Sequence, residues 1–296
     1  MPKPMKPKGV SIQEISRIPY PIYGTPKFDG QRCLTTKSGL YSSSNKRLPN
    51  EYLQAALSLL PPGMDGELIA YENGQPLPFR KSGWMRSILG SGDFRYHIFD
   101  NWLVGSTHPY RDRLNEMIHT FGSTGFSYCP EAVHVKPTLL HTWDEAVEYL
   151  KTCLDQGYEG AVYNKPNAYY LQKKSTSLLY SPSYKIKPFL DADAVVTSII
   201  PLQRNLNDPQ INELGFCSRS SAQSGKVSDT LMGSLVCKGI EEPFLNVTFN
   251  LGTGFDLGER QSLFDNPPIG KTLAFKYQPD IHYDSPRHPV FLHFKD

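Results

Sequence analysis

Lys27-Phe28-Asp29-Gly30-Gln31-Arg32 is the stretch on which the reading of this 296-residue chain turns. A lysine, a carboxylate, a glycine and an arginine fall within six residues in a KxDGxR pattern. A lysine ammonium cannot attack at neutral pH, so a catalytic one needs its pKa lowered by neighbouring cations or a bound metal. Gly30 suits a tight turn between strands. Arg32 carries a planar fork that matches a phosphate. A single such lysine is most often a surface residue in a turn. Four later fragments in fixed order overturn that reading: Asp65-Gly66-Glu67, Phe99-Asp100, Glu159-Gly160 and Lys185-Ile186-Lys187. Together they supply a nucleophile, carboxylates, an aromatic platform and paired cations.

Composition narrows the class. Hydrophobic residues make up 39% and aromatics 12%, enough for packed cores in one large domain or two ordinary ones. The net charge of +2 gives no gross electrostatic argument for nucleic acid, so such a surface must come from local clustering. No apolar run approaches a membrane span. Basic residues open the chain (Lys3, Lys6, Lys8), but no apolar segment of a secretory signal follows. Pro2, Pro4 and Pro7 mark residues 1–20 as a flexible tail. The five cysteines are odd in number, widely spaced and free of any CxxC, which argues against a disulfide framework or zinc site and for a reducing intracellular compartment.

Strand-like and helix-like stretches alternate up to about residue 189. Asn50 caps a helix carrying Leu53, Ala56, Leu57 and Leu60, and Pro61-Pro62 stop it. Gly66 to Tyr71 reads as a strand, and Arg111 to Phe121 as a helix with Leu114, Met117, Ile118 and Phe121 on one face. Thr142 and Glu145 form a capping box ahead of a second amphipathic helix, which Gly157 ends. Glu159 follows and opens the strand Ala161-Val162-Tyr163. From Asp191 onward helices nearly vanish. Five alternating runs remain: Ala194 to Ile200, Ser234 to Lys238, Leu245 to Leu251, Leu273 to Tyr277 and Val290 to Phe294. They suggest an OB-fold β-barrel. The fold class is α+β: antiparallel sheets with helices over residues 21–189, then the barrel over residues 190–296. Residues 202–230, polar and containing Arg204, Arg219 and Lys226, read as a long functional loop.

Glu159 is the best candidate metal ligand, since Mg²⁺ takes oxygen donors and keeps several waters. Asp29 joins it through water. Lys185 and Lys187 alternate on a strand so that both reach one face while Ile186 faces the core. They suit neutralisation of a triphosphate. Trp84, Trp102 and Trp143 read as core residues, and the eight histidines show no ligand spacing.

These motifs resemble the covalent nucleotidyltransferase superfamily of ATP-dependent DNA ligases, RNA ligases and mRNA-capping guanylyltransferases. Within it the chain is similar to minimal two-domain ATP-dependent DNA ligases of large algal viruses and some phages. The resemblance runs from about Pro21 to the C-terminus. It implies ATP as AMP donor, Mg²⁺ (or Mn²⁺) as metal, Lys27 as nucleophile, and sealing of nicked duplex DNA through a lysyl-AMP intermediate by a monomer. Glu67 holds the ribose and Phe99 stacks on the purine; without the resemblance they read as a strand acid and a core aromatic. Arg32, Lys185 and Lys187 bind phosphates. The 202–230 loop takes the place of a DNA latch, and the barrel domain swings between steps. Arg287 and Lys295 match the C-terminal motif serving the first step. With 26 residues before Lys27, no extra N-terminal DNA-binding domain is expected.

The chain departs from the pattern at three points. Ser43 stands where an arginine usually meets the nick 5′-phosphate, with Lys46 or Arg47 as substitutes. Lys174 replaces another common arginine. Thr25 replaces a frequent glutamate two residues before the lysine. An RNA ligase, a GTP-dependent capping enzyme and a non-catalytic nucleic-acid-binding module remain alternatives. Met232 to Leu235, Phe249 to Phe255 and Arg260 resemble the DNA ligase barrel and weigh against the first. The five intact residues Lys27, Glu67, Glu159, Lys185 and Lys187 weigh against the last.

Overall fold

The computed structural model describes residues 3–124, 129–172, 177–212, 215–279 and 284–295. The chain divides into two compact units, Met1–Lys187 and Pro188–Asp296. The first unit contains strands β1 (Lys8–Gly9), β2 (Ile22–Lys27), β3 (Gln31–Thr36), β4 (Gly39–Ser42), β5 (Met64–Glu72), β6 (Gln75–Pro76), β7 (Asp93–Asn101), β8 (Ala132–His134), β9 (Thr138–Leu140), β10 (Gly160–Asn164) and β11 (Ser183–Ile186). Helices α1 (Ile12–Ile15), α2 (Glu51–Ala56), α3 (Tyr110–Thr124) and α4 (Trp143–Asp155) interrupt them.

Two sheets result. The smaller runs β1-β11-β10-β2-β9, and the larger β4-β3-β5-β7-β8 with β6 paired to β5. Each has its own core. Met64, Leu68, Phe94, Tyr96, Ile98 and Leu114 fill that of the larger sheet. Ile22, Leu140, Ala161, Tyr163, Tyr184 and Ile186 fill that of the smaller, against α4. Alternation on β7 explains the division, with Phe94, Tyr96 and Ile98 buried and the residues between them part-exposed. Lys27, the last residue of β2, lies on the smaller sheet; Arg32, after the turn at Gly30, lies on the larger.

Several expectations are met in detail. Asn50 caps α2 by accepting from Leu53 N at 2.8 Å, and Thr142 caps α4 by accepting from Glu145 N at 3.2 Å. Others are not. The segment expected as a flexible tail is ordered over its described part. β1 pairs in parallel with β11, Ser11 and Glu14 close a capping box on α1, and Met5, Ile15 and Ile18 are buried. The apolar side chains between the prolines outweigh the turn signals that suggested disorder. Trp143 is 40% exposed rather than in the core, its indole donating to Ile12 O at 3.1 Å. Ile118, assigned to a buried helix face, is exposed.

The second unit contains β12 (Leu190–Asn205), β13 (Pro209–Ile211), β14 (Cys217–Arg219), β15 (Lys226–Gly239), β16 (Thr248–Leu251), α5 (Leu257–Asp265), β17 (Thr272–Gln278) and β18 (Arg287–Phe294). Five strands form one antiparallel sheet in the order β16-β15-β12-β17-β18 around Val196, Leu235, Cys237, Leu251, Leu273 and Phe275. A hydrogen bond from Phe291 N to Thr253 O (2.9 Å) ties the segment after edge strand β16 to edge strand β18. Each of the five sequence runs contains a strand, although the third begins only at Thr248 rather than Leu245. Over its described residues the segment 202–230 is a β-ribbon rather than a loop. β12 and β15 pair as far as Asn205–Lys226, and the β13–β14 hairpin lies beyond. Polar side chains hold it: Asn207 bonds Ser220 O and Ala222 O, and Arg204 pairs with Asp229. Helix α5 has no buried residue, so periodicity could not announce it; its capping box, Asp256 with Glu259, could.

Arg113, 1% exposed, is the largest of the fully buried side chains. It grips Asp100 through Nε (2.7 Å) and Nη2 (2.9 Å) and donates to the His108 and Ala168 carbonyls. Removing the cation leaves Asp100 buried and unpaired, a loss of about 3–5 kcal/mol. Arg113→Met is therefore expected to lower the denaturant-unfolding free energy of the first unit by that amount; a loss under about 1 kcal/mol would show the pair to be dispensable.

Candidate active site

The smaller sheet sets up the site as three cross-strand rows. Lys27 pairs with Gly160, Thr25 with Val162 and then Lys185, and Tyr23 with Asn164 and then Ser183. In the first row the Glu159 carboxylate lies between two ammonium groups, bonding Lys27 through Oε2 and Lys187 through Oε1. Its backbone N–H also donates to Lys27 O at 3.0 Å. Burial alone would raise the Glu159 pKa, but Lys27 and Lys187 outweigh it and hold the carboxyl below its ordinary value. Gly160 makes the arrangement possible. Its φ is +151°, and a Cβ there would sit 2.0 Å from Ile186 O.

The larger sheet supplies the opposite wall. Arg32 Nε and Nη2 clasp Asp65 at 2.8 and 2.5 Å, and Tyr170 donates to the same carboxylate at 2.6 Å. Burial opposes the guanidinium charge, yet Asp65 more than compensates and Arg32 stays protonated. Its fork, expected on a phosphate, is thus engaged by Asp65. The guanidinium lies 5.3 Å from the Phe99 ring centroid, so a base stacking on Phe99 must use the other face. Tyr170 also accepts Met5 N at 2.9 Å, fastening the N-terminal segment to the wall.

Between the walls lies a cavity of about 280 Å³, at the small end of the roughly 300–1,000 Å³ of ligand sites. Thr25, Lys27, Arg32, Ser43, Glu67, Phe99 and Lys185, all singled out in the sequence, line it. So do Phe28 and the segment Met5 to Pro7, which were not. Phe28 stacks on His97 at 4.4 Å, and Tyr71 OH approaches His97 Nε2 at 3.3 Å. Burial, helped by Arg95, lowers the His97 pKa to about 4, so the ring is neutral at physiological pH. Only the aromatic at position 28 hinted at this stack.

The remaining candidates scatter. Lys46 is exposed in the turn after β4, Asp29 is half-buried beside Gly30, Arg287 begins β18 of the second unit, and Lys174 lies outside the described residues. Lys295, also in the second unit, pairs with Asp193. Among the described residues no three carboxylate, histidine or cysteine side chains converge as a metal cage. Glu159 and Asp29 carry hard oxygen donors of the kind Mg²⁺ takes, and Glu159 would have to release Lys27 or Lys187 to offer one. No helix among the described residues is long and apolar enough to cross a membrane.

Residues 224–295 match the DNA ligase OB-like domain family. A Chlorella virus DNA ligase-adenylate is 25% identical, with 100% of this chain and 98% of that chain covered and a TM-score of 0.56. The chain has the build of a minimal ATP-dependent DNA ligase. A Lig E DNA ligase structure shares the fold at a TM-score of 0.72 and 21% identity, with both chains covered in full. Pmar-Lig shares it at a TM-score of 0.71 and 15% identity, over 98% of this chain and 68% of that chain. No curated protein sequence matches.

Glu67 gives this ligase-like cavity a pH signature. Burial raises its pKa to about 7 against the pull of Arg32 and Lys27. The folded protein then keeps a proton that the unfolded chain loses from pH 4.5 upward, so this group lowers stability as pH rises from about 4.5 to about 7. Glu67→Gln is expected to raise the melting temperature at pH 8, with the gain vanishing near pH 4.5. A gain independent of pH would contradict the assignment.

Proposed function

We propose that this protein seals 5′-phosphate/3′-hydroxyl nicks in duplex DNA through a lysyl-AMP intermediate, using ATP. The observation that carries this reading is the Lys27–Glu159–Lys187 triad, whose Lys27 lines a cavity together with Glu67 and Phe99. The DNA ligase OB-like match supports DNA ligation over RNA ligation or capping.

In the first step deprotonated Lys27 Nζ attacks the α-phosphorus of ATP. An N–P bond forms, the P–O bond to pyrophosphate breaks, and the lysine proton passes to solvent. Lys185 and Lys187 offset charge building on the phosphate oxygens. Glu159 fixes the direction of the Lys27 side chain. Glu67 accepts from the ribose hydroxyls in its ionised form, and Phe99 carries the purine. Arg32 acts by stiffening that platform, since Asp65 holds its fork. Glu159 and Asp29 would hold Mg²⁺, whose charge polarises the phosphate. Thr25 is assigned to nucleotide binding as a residue lining the cavity, and Arg287 to the first step through its C-terminal motif. AMP then passes to the nick 5′-phosphate, and the 3′-hydroxyl displaces it. Ser43, Lys46 and Lys174 are assigned to the 5′-phosphate strand, and the protein acts as a monomer.

Wild type is expected to seal a 5′-phosphorylated nick with ATP, and Lys27→Ala to lose both sealing and covalent label from α-labelled ATP. Label without sealing on DNA, but with joining of RNA, would replace the reading by an RNA ligase. Deleting residues 206–225, the tip of the ribbon, should spare lysine adenylylation and weaken nick binding, most at low salt where phosphate contacts count most. Unchanged nick affinity would remove the ribbon from the DNA surface. Ser43→Arg should tighten binding to a 5′-phosphorylated nick relative to a 5′-hydroxyl one; an unchanged ratio would place residue 43 away from that phosphate.

A further inference from the structure

The third row of the smaller sheet holds a polar atom that nothing in the fold explains. Ser183 is 1% exposed and lines the cavity, yet its Oγ has no hydrogen-bond partner. Other polar groups nearby are engaged. Thr25 Oγ1 reaches Val162 O at 3.5 Å, Ser181 Oγ donates to Ser183 O at 2.8 Å, and Asn164 bonds Tyr110. A buried hydroxyl is normally paired, so an unpaired one facing a cavity marks where a ligand supplies the partner.

The location says which part of the ligand. Asn164, the cross-strand neighbour of Ser183, bonds the Tyr110 hydroxyl, and that hydroxyl donates to Phe99 O at 3.4 Å. Ser183 therefore lies at the Phe99 end of the cavity, where the purine stacks. The row Tyr23–Asn164–Ser183 is four residues along the strands from the Lys27–Gly160 row. At ordinary strand rise that is about 13–14 Å, the scale of an extended nucleoside monophosphate joined to the lysine.

We propose that Ser183 Oγ accepts a hydrogen bond from the 6-amino group of the bound adenine, making Ser183 a base-specificity residue. The inference rests on the nucleotide-binding reading of the cavity. A site built around such a bond loses affinity for an analogue lacking the amino group, because its buried acceptor is left unpaired.

The test is lysine adenylylation without DNA, comparing ATP with purine riboside 5′-triphosphate, which lacks only the 6-amino group. Wild type should show a KM for the analogue about tenfold above that for ATP, with similar kcat. Ser183→Ala should raise the KM for ATP about as much and abolish the difference between the two nucleotides. Equal KM values for both nucleotides in wild type would overturn the proposal without any variant. So would a Ser183→Ala protein that keeps the wild-type preference. Failure of the parent reading looks different, as wild type would then take up no label from either nucleotide.

Discussion

The carboxylate of Glu159, bonded to Lys27 on one oxygen and Lys187 on the other, is the interaction on which the site depends. Two ammonium groups a few ångströms apart repel by about 4 kcal/mol at an effective dielectric near 20. The anion between them turns that repulsion into order and fixes the direction of each lysine. The sheet makes the meeting possible. Lys27 ends β2, Glu159 precedes β10, and Lys187 follows β11, so three sequence segments deliver their charges to one edge. Gly160 is the hinge point of this convergence, because any side chain there would strike the Ile186 carbonyl.

Around this centre the walls differ in kind. The smaller sheet presents lysines and hydroxyls, while the larger presents a buried Arg32–Asp65 pair backed by Tyr170 and a second pair, Arg113–Asp100, behind Phe99. Paired charges in a dry wall are costly to break and stiffen the surface they support. The cavity thus gains a rigid aromatic platform on one side and carboxylate-ordered cations on the other. That suits chemistry in which the base stays fixed and the phosphates change partners.

The sequence made much of this legible, for identifiable reasons. Lys27, Glu159 and Lys185 sit in short motifs whose residue types have few other uses together, and alternation placed Lys185 and Lys187 on one face. What stayed hidden depends on long-range pairing. The bond from Met5 N to Tyr170 spans 165 positions, and no local pattern marks Tyr170 as the clasp of Asp65. The fork of Arg32 suggested a phosphate, but its partner is set by strand register that a single sequence does not show. The N-terminal segment misled through its prolines, although Met5, Ile15 and Ile18 find apolar cover. The ribbon between β12 and β15 was missed because polar strands held by Asn207 and Arg204 carry no hydrophobic alternation.

The central claim is that Lys27, poised by Glu159, is the residue that takes up the nucleotide. The most direct measurement is peptide mapping by mass spectrometry after incubation with ATP and Mg²⁺ and without DNA. The account predicts one AMP per chain, on the peptide containing Lys27 and on no other, and lost in Glu159→Ala. AMP on Lys185 or Lys187, or a fully adenylylated Glu159→Ala protein, would contradict it.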